Sequence, residues 1–200
     1  GLLPELDDYF RQYGLIAIFA ALGIAFARNL FTLFLFYELL TFSTYPLVTH
    51  AGTEKAKRAG RVYLGVLVFT SVAFFLGAIL LTWHLTGGDL EFRPGGILAG
   101  NVEGAPVFAL LALFAFGTGK AALMPFHRWL PSAMVAPTPV SALLHAVAVV
   151  KAGVFGMVRM IVFVFGADLL REIDASTLIA ILAAVTLLVG SALAIRHDHL

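Results

Sequence analysis

Apolar residues run along this chain in long blocks, separated by short polar breaks, with no two-residue alternation. Tyr13 to Ala27 is one block, Arg28-Asn29 a break, and Leu30 to Thr49 a second block. Read as a single helix, these 37 residues would extend about 55 Å, well beyond a hydrocarbon core of about 30 Å, so two helices joined by a tight turn are predicted. Further blocks follow at residues 62–85, 106–124, 139–165 and 176–195. The pattern predicts six transmembrane helices after a polar lead-in at residues 1–12.

The loop holding Lys55, Lys57, Arg58 and Arg61 carries a basic excess, which places it on the cytoplasmic side. The loop with Asp89, Glu91, Arg93 and Glu103 then falls outside, as does the turn with Asp168, Arg171, Glu172 and Asp174. The start with Asp7-Asp8, the stretch with His127-Arg128 and the end at Arg196 fall inside. Gly87-Gly88 and Gly95-Gly96 predict irregular backbone in the longest outer loop.

Composition agrees with the pattern. Of 200 residues, 60% are hydrophobic and only 12% charged, whereas a soluble domain carries about 25% charged residues. Mean hydropathy is +0.96. The chain is too poor in charge to be covered by water, and an all-α integral membrane protein is expected. A net charge of +1 with no extended basic stripe excludes nucleic acid as a main partner. The absence of cysteine excludes disulfides, thiolate metal sites and cysteine nucleophiles. The chain starts at Gly1 and stops just after a charged cluster, so a piece of a longer polytopic protein is expected.

The informative residues are those that cost energy in lipid. Glu38 lies about 12 Å along its helix, Lys120 about 21 Å and Lys151 about 18 Å, all near the bilayer middle. A charged side chain at a helix centre costs about 2.5–3.5 kcal/mol. All three must therefore face the bundle interior, water or each other. A Glu–Lys pair that only locks helices together is one reading. Against it, one carboxylate cannot neutralise two lysines, and a buried ion pair is a poor stabiliser. The other reading is a proton path. Burial disfavours an ammonium and a nearby carboxylate favours it, so a lysine whose partner approaches and recedes is a switchable proton site. Glu38 and Lys120 form the expected switch and Lys151 the next site. His145, whose side chain ordinarily titrates at about 6.5, is a candidate relay.

Gly117 and Gly119 flank Lys120, and Pro125 follows, so a helix break is expected there. Broken helices near the midplane mark ion sites, because freed backbone groups line a cavity. A short amphipathic stub follows to about residue 134, with Trp129 read as an interfacial anchor. Gly117-Thr-Gly-Lys120 resembles the end of a phosphate-binding loop, but Phe114 and Ala121 stand where that loop needs Gly and Ser or Thr. No nucleotide, cofactor or metal site is expected. His197 and His199 are read as a flanking charged cluster, and His50 and His84 as span-end residues.

The run from Lys120 through Met-Pro-Phe-His-Arg-Trp-Leu-Pro and Ala-Pro-Thr-Pro to Lys151-Ala-Gly-Val-Phe155 resembles the central signature of the antiporter-like subunits of respiratory complex I and Mrp-type Na⁺/H⁺ antiporters. Phe36-Tyr-Glu-Leu-Leu40 with Ser43-Thr-Tyr45 resembles their fifth-helix glutamate motif. The resemblance covers the chain from about Arg28 onward. It implies a family fold of about fourteen helices with two inverted five-helix repeats. Residues 13–165 would be the first repeat and 176–200 the first helix of the second. Glu38, Lys120 and Lys151 match the family's ion-path positions, and His145 a histidine many members carry. Within the family the resemblance leans towards the Mrp branch and its D-type proton-conducting transporters. It implies a proton-conducting subunit, with protons exchanged for Na⁺, in a bacterial or archaeal cytoplasmic membrane beside other membrane subunits. The alternatives are a pumping subunit of an NADH:quinone oxidoreductase, whose redox centres would lie in other subunits, and a structural subunit with paired charges.

Overall fold

The structure, a computed structural model, describes residues 2–102 and 104–196. Glu103, His197 and His199, which enter the sequence reading, lie outside the described residues. The regular elements among the described residues are all helical, with no strand and a single isolated bridge pairing Asn29 with Glu91.

Helix α1 runs Leu2–Phe26 and α2 runs Leu30–Thr49. The polar lead-in expected at 1–12 is therefore helical from Leu2, because Asp8, Arg11 and Gln12 sit exposed on α1 and no polar residue there breaks the helix. The tight turn at Arg28-Asn29 is present. Asn29 caps α2 by accepting the Thr32 N–H at 2.7 Å, which satisfies one of the free donors of the first turn. The two helices approach closely at Gly23, where an added Cβ would strike the Phe36 ring.

Helix α3 spans Glu54–Leu85. Thr53 caps it, accepting the Ala56 N–H at 3.1 Å. Lys55, Lys57, Arg58 and Arg61 thus stand on its first two turns, not in a loop as the sequence suggests. The buried positions Ala56, Ala59, Gly60 and Tyr63 fall at helical spacing, which turns the basic residues outward. At Thr70–Phe75 the helix widens into a π turn.

Helix α4 runs Ala105–Gly117. A 3₁₀ turn at Gly119–Ala121, another at Phe126–Arg128 and the short helix α5, Trp129–Ala133, lead into α6, Thr138–Phe165. Helix α6 carries π turns at Leu143–Val147 and Met160–Phe165. The short α7, Ala167–Glu172, precedes α8, Ala175–Arg196. Among the described helices α2, α3, α6 and α8 are long and apolar enough to cross a membrane. The apolar stretch of α1 from Phe10 to Phe26, and α4, are shorter.

The core lies between α2, α3, α4 and α6. A column of edge-to-face rings runs through it: Tyr37 on Phe75 at 5.3 Å, Phe75 on Phe114 at 6.0 Å and Phe114 on Phe165 at 5.8 Å. At the far end of α6, the Arg159 guanidinium donates to the Ile24 and Ala25 carbonyls, both at 3.2 Å, and lies 4.3 Å from the Phe92 ring centre. It ties the C-terminus of α1 and the outer loop to α6. Helix α8 differs from the rest: only Ala175 along it is buried.

Candidate functional site

The site forms where α4 stops short. The last helical bond runs from Thr118 N–H to Phe114 O at 3.0 Å, and the Thr118 side chain covers the carbonyls at this end. The Thr118 hydroxyl donates to Phe114 O at 3.0 Å and to Ala115 O at 3.1 Å. The next turn is tight, with Ala121 N donating to Thr118 O at 2.8 Å and Ala122 N to Gly119 O at 3.0 Å. It closes at Ala122, whose φ of 56° is left-handed and costly for any residue with a Cβ. The helix stops at Gly117, inside the apolar block that continues in sequence to Met124.

Two aromatic side chains satisfy the backbone that the break frees. The Tyr37 hydroxyl accepts the Lys120 N–H at 3.1 Å, and Trp129 Nε1 donates to Gly119 O at 2.9 Å. Trp129 is fully buried, not an interfacial anchor. A carbonyl released in the membrane interior needs a donor, and the indole supplies it. Tyr63 packs edge-on to Trp129 at 5.6 Å and shares a 2.6 Å hydrogen bond with the Thr44 hydroxyl.

The break is gripped from two sides. A Cβ at Gly117 would strike the Phe75 backbone, and one at Gly119 the Thr70 side chain, both in the π turn of α3. A Cβ at Gly153 would strike the Lys120 and Ala121 backbone, so α6 lies directly against the break. Pro125 lies exposed just beyond.

Within this frame Lys120 is fully buried. Its Nζ stands 3.2 Å above the centre of the Tyr37 ring and has no hydrogen-bond partner. Glu38, the next residue on α2, is an electrostatic neighbour of Lys120. Its Oε1 is buried and also unpartnered. The ion pairs found among the described residues, Arg28–Glu91, Lys57–Glu54 and Arg93–Asp89, are all peripheral. Glu38 and Lys120 are thus close without being joined.

The other two expected residues are placed differently. The buried face of α6 is Val149, Ala152, Gly153 and Gly156, and Lys151 stands off it, exposed. His145 lies in a π turn and is half-buried, with both ring nitrogens buried and unpartnered. The structure therefore brings Glu38 and Lys120 together, and leaves Lys151 on the opposite face of the helix that backs them. An open cleft of about 570 Å³ among Phe31, Ile79, Trp83 and Leu90 includes none of these residues. No cluster of His, Asp and Glu among the described residues has the form of a metal site. Tyr37 was not singled out by sequence, where it reads as an apolar-span aromatic beside Glu38, and Trp129 reads there as an interfacial anchor rather than as a buried donor.

An all-helical membrane bundle, with unpaired charges around one interrupted helix, is the class of protein these features define. Residues 27–200 match the family model described as the NADH:quinone oxidoreductase/Mrp antiporter transmembrane family, and the chain belongs to that family. It is 36% identical over 154 residues to the Na⁺/H⁺ antiporter subunit A1 of Staphylococcus haemolyticus, covering 76% of this chain and 19% of that one. The subunit A1 of Staphylococcus saprophyticus is 35% identical over 159 residues, covering 78% and 20%. These relatives carry the name subunit A1, not the D-type name expected from the sequence. Among solved structures, a chain of respiratory complex I from Thermus thermophilus with bound aureothin superposes with a TM-score of 0.76 at 26% identity, covering 96% of this chain and 40% of that one. A chain of the Mrp complex from Dietzia sp. DQ12-45-1b gives 0.63 at 33%, covering 70% and 16%. A chain of the membrane-bound sulfane sulfur reductase, an archaeal respiratory membrane complex, gives 0.66 at 32%, covering 74% and 30%. The chain spans about a fifth of the length of the curated relatives it matches.

Proposed function

We propose that this chain is part of a proton-conducting subunit of a multisubunit monovalent cation/proton antiporter, in which protons pass through Glu38, Lys120, His145 and Lys151. The observation that carries the reading is Lys120 Nζ, fully buried in a broken helix beside Glu38 and bonded to nothing. A purely structural lysine would be expected to close an ion pair with that carboxylate, since an unpartnered buried ammonium is costly. A lysine held near a carboxylate without bonding to it is poised to lose a proton as the ammonium and regain it as the amine. The buried, unpartnered nitrogens of His145 suit a relay towards Lys151 on the far side of α6. The exposed Lys151 and the uncovered α8 fit a chain that works against further membrane segments or subunits.

In this reading six helices cross a bacterial or archaeal cytoplasmic membrane. They form one five-helix repeat and the start of a second. The partners are the lipid bilayer, other membrane subunits, protons and Na⁺. A second reading, a pumping subunit of an NADH:quinone oxidoreductase, is favoured by the 96% coverage against the complex I chain.

The test is proton movement in sealed membrane vesicles containing the whole complex, with wild type, Lys120→Ala and Glu38→Ala compared at verified assembly. Collapse of proton movement in both assembled variants supports the path. Wild-type rates in both overturn it. Dependence of that movement on a Na⁺ gradient, as against NADH and quinone, separates the two readings.

A further inference from the structure

Tyr37 touches Lys120 twice. Its hydroxyl accepts the Lys120 main-chain N–H at 3.1 Å, and its ring face lies 3.2 Å below the Lys120 ammonium. The ring itself is held. It is fully buried and stands edge-to-face on Phe75 at 5.3 Å and 83°. A ring face carries negative charge density, and in a site closed to water this is worth more to a cation than at an exposed surface. It is the cation-accepting contact the structure gives Nζ, which has no hydrogen-bond partner. Glu38 follows Tyr37 on α2, about 100° further around the helix. The ring and the carboxylate are thus adjacent on one helix and serve the same flexible side chain.

We propose that Tyr37 is a positioning residue that gives the Lys120 ammonium a second seat, off Glu38, so that the lysine alternates between the ring face and the carboxylate. The proposal rests on the proton-path reading above. The main-chain bond fixes where Lys120 departs from the break, and the ring face fixes where its charge waits. A lysine paired permanently with Glu38 would be locked. One with no seat elsewhere would leave a bare charge in the bundle. The ring face narrows the free-energy gap between the position off Glu38 and the position on it, so both are populated. The groups facing this lysine are Glu38 and Tyr37 from α2, with Tyr63 of α3 as a further neighbour of Tyr37. From α6 the break meets Gly153 and Met157, neither of which titrates.

The experiment weakens the ring face while keeping its shape. Phenylalanine and its mono-, di- and trifluoro analogues are placed at position 37 of the assembled complex, and proton movement in vesicles is followed against pH. Each fluorine withdraws charge from the ring face and weakens the seat of the charged lysine. The pH midpoint should step downward, by about one unit across the series. Should phenylalanine at this position prevent assembly, 3-fluoro- and 3,5-difluorotyrosine give the same reading. A packing role for Tyr37 leaves the midpoint flat across the series, and that result overturns the proposal. Lys120→Ala run alongside separates the two failures. Wild-type proton movement in that variant sinks the path itself, whereas a flat series with an inactive Lys120→Ala sinks only the second seat.

Discussion

Lys120 and Lys151 occupy neighbouring segments in contact with each other, yet their surroundings are opposite. Lys120 is sealed in the bundle, its main chain tied by Tyr37, its flanks pressed between the π turn of α3 and Gly153 of α6. Lys151 stands two residues before Gly153 on the other side of α6, exposed. The difference teaches what a membrane bundle demands of an interrupted helix. Freed peptide groups there have no water to turn to, so every neighbour is recruited: Tyr37, Trp129 and the Thr118 hydroxyl each take one or more of them. Around Lys151 the α6 helix is regular and asks for nothing.

The contrast is breakable by substitution. The largest effect is expected on function: Lys120→Ala in the assembled complex should slow proton movement by about a hundredfold, the scale of losing a positioned proton-transfer group. On stability, Gly153→Ala should cost about 1–3 kcal/mol, because its methyl group meets the backbone of the break and neither segment has room to withdraw. Trp129→Phe should cost a similar or slightly smaller amount, about 1–3 kcal/mol, by leaving the Gly119 carbonyl without its donor. Thr44→Val should cost about 1 kcal/mol through the lost bond to Tyr63. Lys151→Ala should change stability by less than about 0.5 kcal/mol. Thermal unfolding of the detergent-solubilised complex checks all four. A Lys151→Ala effect as large as that of Gly153→Ala would erase the contrast.

Much of this was readable before the structure. Long apolar blocks marked the helices, because membrane spans need length and little else. Glu38 and Lys120 stood out because charge is rare in such blocks, and Gly117, Gly119 and Pro125 marked the interruption. What the pattern did not carry was partnership. Tyr37 looks like any aromatic in an apolar segment and Trp129 like an interfacial anchor, and only the third dimension shows them holding peptide groups of the break. The orientation of Lys151 depends on which face of α6 carries the close contact at Gly153. The basic residues before Arg61 read as loop because charge interrupts an apolar count, although the helix itself starts at Glu54 behind its Thr53 cap.

The central claim is that Glu38 and Lys120 act as one unit in moving protons. A double-mutant cycle tests it directly: proton movement in vesicles with Glu38→Gln, Lys120→Ala and both together, at matched assembly. The account expects the double variant to be no slower than Lys120→Ala alone, because the second change finds no switch left to break. Losses that multiply, or single variants that run at wild-type rates, would contradict it.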